Sequence, residues 1–112
     1  MEKLTITLTD RPPVRVDKEQ WPIIASAKDW DNEHEFQANR TWHLKVRQHE
    51  DGRCIVYGIY STNWHNENDL RGGELVDDVA CVPETIKSVA DYLGFNARLA
   101  DECIADLPAE DL

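Results

Sequence analysis

The sequence has little of what membrane-spanning or secreted proteins need. Its apolar runs are only a few residues long, far short of the ~20 residues of a membrane-spanning helix. Its first residues have no basic start followed by an apolar block, so no secretory signal is predicted. The three cysteines show no C-x-x-C spacing, which is typical of reduced thiols in a cytosolic protein. We therefore expect a cytoplasmic protein that does not contact membranes.

The motifs of common catalytic and cofactor sites are also missing. The adjacent glycines Gly72 and Gly73 lack the spacing and the Lys-Ser/Thr pair of a phosphate-binding loop. Neither Gly-x-Ser-x-Gly nor His-Glu-x-x-His occurs. Acids alternate along residues 29–35, but an EF-hand loop beginning at Asp29 would need glycine at His34 and glutamate at Arg40. We expect no metal ion, no cofactor and no catalytic residue.

Positive charge is scarce, and the negative charge is unevenly distributed. The chain has 12 Lys and Arg against 22 Asp and Glu, a formal net charge of −10. Residues 1–65 are almost balanced, whereas residues 66–112 hold twelve acids and three bases. Such a field repels nucleic acids and membrane surfaces and attracts basic proteins. The charge predicts a basic protein partner and no direct binding of nucleic acid.

Alternating residues predict a small antiparallel sheet. Trp42, Leu44 and Val46 alternate with polar residues, and an Asp-Gly turn at residues 51–52 precedes a second run. This pattern predicts a central hairpin over about 41–61. Both faces of its return strand are largely apolar, so we expect helices on one side of it and another element on the other. Shorter strands are expected at Leu4–Leu8 and at residues 14–16.

Two helices are predicted near the carboxyl end. Pro83 suits a helix start and Gly94 a helix end, while Asn96 can cap a second helix that Pro108 terminates. The expected helices span about 83–94 and 96–107 and pack on one face of the sheet. The fold class is therefore α+β, with residues 1–112 in a single domain and 108–112 as a frayed tail.

The functional hypothesis is a non-enzymatic, acidic protein-interaction module. It would contact a basic partner through an acidic helical face and an aromatic-acidic loop. A sharper version is a DNA-mimicking inhibitor of a nucleic-acid-binding protein, by analogy with small acidic proteins of phages and mobile elements. The expected partner-binding residues are Trp30, Trp64, Glu67, Asp69, Asp91, Asp101, Glu102 and Asp106.

Several alternatives stay open. A small-ligand binder or an enzyme could use His65 as an acid or base in the polar loop of residues 61–73. Trp30 and Trp64 could be exposed interface anchors or buried lids over the core. A homodimer could form through the edge of the Leu4–Leu8 strand. A further alternative is a basic strip for nucleic acid, formed by Arg40, Lys45, Arg47 and Arg53 with Trp42.

Overall fold

The computed structural model describes residues 2–31 and 39–109. Within them, six strands are followed by two helices, which confirms the predicted α+β class. The strands are β1 (Lys3–Ile6), β2 (Val14–Asp17), β3 (Ile23–Asp31), β4 (Arg40–Gln48), β5 (Cys54–Thr62) and β6 (Leu70–Val76). The helices are α1 (Val82–Leu93), which a 3-10 turn at Val79–Cys81 precedes, and α2 (Ala97–Ala105). None of the helices in the described residues has the length and apolar character needed to cross a bilayer.

Strands β3 to β6 form one antiparallel sheet in chain order. The predicted central hairpin is confirmed as β4 and β5, which pair from Arg40 opposite Thr62 to Gln48 opposite Cys54. Gly52 in the turn has a φ of 96°, a left-handed conformation that glycine adopts without strain. Strand β5 lies between β4 and β6, so it is central, as its two apolar faces predict.

The larger core lies between the sheet and the two helices, which pack on the same face. Leu44, Val46 and Val56 of the sheet are fully buried there. Each helix contributes an apolar stripe, with buried Ile86, Val89, Leu93, Leu99 and Cys103. Because burial of each large aliphatic side chain is worth about 1.5–3 kcal/mol, this layer supplies much of the stability.

The other face of β5 is covered by a separate β1–β2 hairpin. Ile6, Leu8 and Val16 pack with Trp21 against Ile55 and Tyr57. Arg47 is buried beside this second core, and its guanidinium donates hydrogen bonds to the Tyr57 hydroxyl and the Trp21 carbonyl, both at 2.9 Å. The element that the sequence left undefined on this face is therefore the amino-terminal hairpin.

The polar loop predicted over residues 61–73 is shorter in the structure. Strand β5 continues to Thr62 and β6 begins at Leu70, so the connection spans 63–69. Gly72 and Gly73 belong to β6 instead of a turn. A Cβ atom at Gly73 would lie 2.6 Å from the carbonyl oxygen of Val56. Because glycine has no side chain, β6 can approach the backbone of β5 closely at this position.

Both helix boundaries fall within two residues of the prediction. Gly94 ends α1 with a φ of 75°, and the Asn96 side chain accepts a hydrogen bond from the Leu99 amide at 2.9 Å. Pro108 and Ala109 follow α2 and are exposed. Residues 110–112 lie outside the described residues, so the fraying of the 108–112 tail stays a prediction.

Candidate functional site

A shallow groove of about 300 Å³ lies between α1 and α2. Its apolar lining comes from Ala90 on α1, Phe95 in the turn between the helices, and Ala97 and Ala100 on α2. Two carboxylates, Asp91 and Asp101, and one ammonium group, Lys87, complete the lining. The structure thus brings together two acids that stand ten positions apart in the sequence.

The short turn between the helices creates this groove. The amides of Gly94 and Phe95 donate to the carbonyls of Asp91 (3.1 Å) and Ala90 (2.8 Å), a helix-terminating pattern that needs the left-handed Gly94. The second helix therefore starts within three residues and folds back beside the first. Alanines at 90 and 100 are small and buried, so they leave an open channel where larger side chains would fill the space.

The two groove carboxylates are exposed and have no ion-pair partner among residues 2–31 and 39–109. Lys87 is directed toward Glu84, one turn earlier on α1, with 3.7 Å between nitrogen and oxygen. The groove consequently combines an apolar floor with uncompensated negative charge. A long basic side chain has the matching chemistry, because its methylene stem is apolar and its head is cationic.

The other two helical acids of the predicted set are separate from the groove. Glu102 lies 3.7 Å from Arg98, which also reaches Asp29 on β3 at 3.4 Å. The Asp106 carboxylate accepts the Ser26 amide at 2.9 Å, on the outer edge of β3. The four predicted helical acids are all exposed, but they form two sets: Asp91 with Asp101, and Glu102 with Asp106 along β3.

Glu67 and Asp69 hold the β5–β6 connection in place. The Glu67 carboxylate accepts two hydrogen bonds from Arg40, one from the Tyr60 hydroxyl and one from the Thr62 hydroxyl. These donors, Arg40 foremost, lower the pKa of Glu67 to about 2. Asp69 accepts the Thr62 amide at 3.0 Å. Their internal hydrogen bonds are a structural role that the sequence did not predict.

Trp30 and Trp64 are exposed, at 49% and 40% of their surface. This decides the question of burial that the sequence left open. Each indole lies near a cation, with Arg40 5.6 Å from the Trp64 ring and Lys28 5.6 Å from the Trp30 ring. By contrast, Trp21 is buried and Trp42 packs against Tyr60 with ring centroids 5.5 Å apart. The two exposed indoles are therefore available as contacts for a partner.

His65 is exposed and makes no hydrogen bond or ion pair with the described part of the chain. Likewise, no group of three potential metal ligands occurs among the described residues. Glu33, His34 and Glu35 of the alternating acidic segment lie outside them. The use of His65 as an acid or base stays a prediction from the sequence alone.

The four basic residues of the strip proposed from the sequence have different surroundings in the structure. Arg40 pairs with Glu67 and Asp31, Arg53 pairs with Asp51, and Arg47 is buried. Lys45 instead lies beside His43 and Lys28 of the neighbouring strand. The sequence analysis identified neither Lys28 nor the register that places it beside β4.

The chain matches no protein-family model, and neither a curated protein nor a solved structure shows significant similarity to it.

Proposed function

We propose that this protein is a non-enzymatic interaction module that binds a basic segment of a protein partner in the α1–α2 groove. The observation that carries the proposal is the apolar groove with Asp91 and Asp101 along it. An arginine or lysine side chain of the partner would lay its stem on Ala90 and Ala100 and place its charge near the two carboxylates.

The negative net charge of the whole chain also favours a basic protein as the partner. The net charge of −10 accelerates encounter with a basic protein, and twelve acids lie in residues 66–112, which contain both helices. Glu102 and Asp106 extend the negative surface of α2, although each already has an internal partner. Trp30 and Trp64 supply exposed aromatic surface for a further contact, a common feature of interfaces.

The direct test uses an arginine-rich peptide as the probe. In a titration calorimeter, the double variant D91N/D101N should bind this peptide at least roughly tenfold more weakly than the unmodified chain, because it loses two charges in the groove. The matched control, E19Q/E50Q, removes the same net charge from exposed residues outside both helices. Equal weakening by both variants would refute the groove and leave a general electrostatic attraction.

The salt dependence of peptide binding distinguishes a contact through the carboxylates from a contact through the tryptophans. Binding through Asp91 and Asp101 should weaken steeply as ionic strength rises, since salt screens exposed charges. Binding that is insensitive to salt but lost in Trp64→Ala would assign the contact to the aromatic surface instead.

The narrower proposal, that this protein mimics DNA, predicts a further result. The natural partner, captured from the native cell with the unmodified chain, should be displaced by duplex DNA and should not be captured by D91N/D101N. A partner that binds this protein and DNA at the same time would refute mimicry while leaving the groove intact.

A further inference from the structure

The face of the sheet turned away from the helices carries a compact basic cluster. Because Ala27, Leu44 and Val46 pack toward the helices, their neighbours Lys28, His43 and Lys45 point to the opposite face. The register sets Lys28 opposite His43, and Lys45 is two residues further along β4. Since cross-strand partners have Cβ atoms about 5 Å apart, the three basic groups are close neighbours.

These groups line a single cavity of about 500 Å³ at the β3 edge of the sheet. Ser26 adds a hydroxyl to the lining, and Ala27 and Asp106 complete it. Among the described residues, Asp106 is the single carboxylate of this lining, and it already accepts the Ser26 amide at 2.9 Å. The cavity thus offers two ammonium groups, an imidazole and a hydroxyl, all capable of donating hydrogen bonds.

The two lysines outnumber the carboxylate that lines the same cavity. Within residues 2–31 and 39–109, neither lysine nor His43 forms an ion pair, although the Lys28 ammonium lies 5.6 Å from the Trp30 ring. Burial and then repulsion from Lys45 and Lys28 lower the pKa of His43, and burial, Arg47 and Lys18 lower the pKa of Lys45. The basic groups of the cavity therefore repel one another, and a bound anion would offset that repulsion.

We propose that the cavity formed by Lys28, His43 and Lys45 binds a phosphate group. A phosphate dianion has enough oxygens to accept from both ammonium groups, the imidazole and the Ser26 hydroxyl at once. The overall charge of −10 opposes a long polyanion, but it does not prevent two ammonium groups, an imidazole and a hydroxyl from holding one small anion. The cavity shares no lining residue with the α1–α2 groove, so the phosphate proposal can fail or succeed separately from binding in that groove.

The experiment follows the imidazole resonances of His43 by NMR while inorganic phosphate is added. We expect a saturable shift whose midpoint moves to roughly tenfold higher phosphate in Lys45→Ala or Lys28→Ala. Arg71→Ala removes an equal charge from β6, at the opposite edge of the sheet, and should leave the midpoint unchanged. Asp106→Asn should lower the midpoint, because it removes the negative charge while keeping an oxygen that can accept the Ser26 amide.

A parallel titration with adenosine monophosphate distinguishes free phosphate from a phosphate ester. Equal midpoints indicate recognition of the phosphate group alone, whereas tighter nucleotide binding that is lost in Trp30→Ala indicates an ester whose base contacts the indole. Sulfate, which keeps its charge, should bind more tightly at about pH 5 than at about pH 8, because His43 gains a proton. The proposal is overturned if sodium chloride of equal ionic strength reproduces the shift, or if Lys45→Ala titrates like the unmodified chain.

Discussion

Two hydrogen bonds join the Arg40 guanidinium to the Glu67 carboxylate, at 3.1 and 2.8 Å, and thereby tie β4 to the β5–β6 connection. The Tyr60 and Thr62 hydroxyls donate to the same carboxylate at 2.7 and 2.9 Å. The Glu67 carboxylate therefore accepts four hydrogen bonds from other residues of the chain. The Glu67 amide also donates to the Trp64 carbonyl at 3.2 Å, so this acid contacts the segment that carries the exposed indole.

The first prediction concerns the pH dependence of this contact. The pKa of Glu67 falls from an ordinary value of 4.5 to about 2 in the folded protein, so its ionised form stabilises the fold. This contribution is fully present above about pH 4.5 and is lost as the pH falls toward about 2. Glu67→Gln should therefore lower the Tm at neutral pH, and its difference from the unmodified chain should shrink on acidification. Thermal unfolding followed by circular dichroism measures both effects.

Glu50→Gln is the matched control for that experiment, because Glu50 is exposed and forms no ion pair with the described residues. Its Tm should stay close to that of the unmodified chain across the same pH range. A Glu67→Gln difference that does not change with pH would show that the carboxylate charge contributes nothing.

A second prediction tests Gly73 inside β6. Gly73→Ala would place a Cβ atom 2.6 Å from the Val56 carbonyl oxygen and 2.7 Å from the Tyr57 Cβ, so β5 and β6 must shift relative to each other. Such overpacking costs about 1–3 kcal/mol, measured as the free energy of unfolding in urea. Leu70→Ala, at an exposed position of the same strand, should cost far less. Full stability of Gly73→Ala would mean that residues 72–73 are not held in the sheet.

The β4–β5 hairpin and the two helices could be predicted from the sequence, whereas the position of Gly72 and Gly73 in β6 could not. The β4–β5 hairpin and both helices carry local signals: alternation with an Asp-Gly turn, Pro83 at a start, Gly94 and Asn96 at boundaries. Gly72 and Gly73 have two local interpretations, a turn or a close approach between strands. The choice between them depends on the contact with the Val56 backbone. Val56 is distant in the sequence, so the local pattern around the glycines could not decide between a turn and a strand.

The candidate sites show the same limit. The sequence identified Asp91 and Asp101 as acids on exposed helix faces, but the groove between them depends on how closely α1 and α2 pack. Lys28 was not distinguished at all, because its relation to His43 depends on the register of β3 against β4. Residue types were therefore predictable, whereas the contacts between elements required the fold.

A third prediction concerns the start of α2. The Asn96 side chain accepts the Leu99 amide at 2.9 Å, which satisfies one of the free amides of the first turn. Asn96→Ala should cost about 1 kcal/mol of unfolding free energy, whereas Asn96→Asp keeps an accepting oxygen and should cost little. Urea unfolding of the two variants compares them directly. Equal losses would indicate that the amide group, and not the cap, matters at this position.

The last prediction addresses the buried contact between Arg47 and Tyr57. The Arg47 Nε donates to the Tyr57 hydroxyl at 2.9 Å, and Nη1 donates to the Trp21 carbonyl at the same distance. Tyr57→Phe removes the first acceptor and leaves a buried charged donor unpaired, so it should cost about 1–3 kcal/mol in urea unfolding. Tyr92→Phe is the control, because Tyr92 is exposed and should tolerate the change.

A double-mutant cycle with Arg47→Met then isolates the hydrogen bond from the packing of the ring. Methionine keeps much of the apolar volume but has no donor, so no unpaired group remains when Tyr57 loses its hydroxyl. In that background Tyr57→Phe should cost almost nothing. If it costs as much as in the unmodified chain, the hydroxyl stabilises the fold by some route other than its hydrogen bond with Arg47.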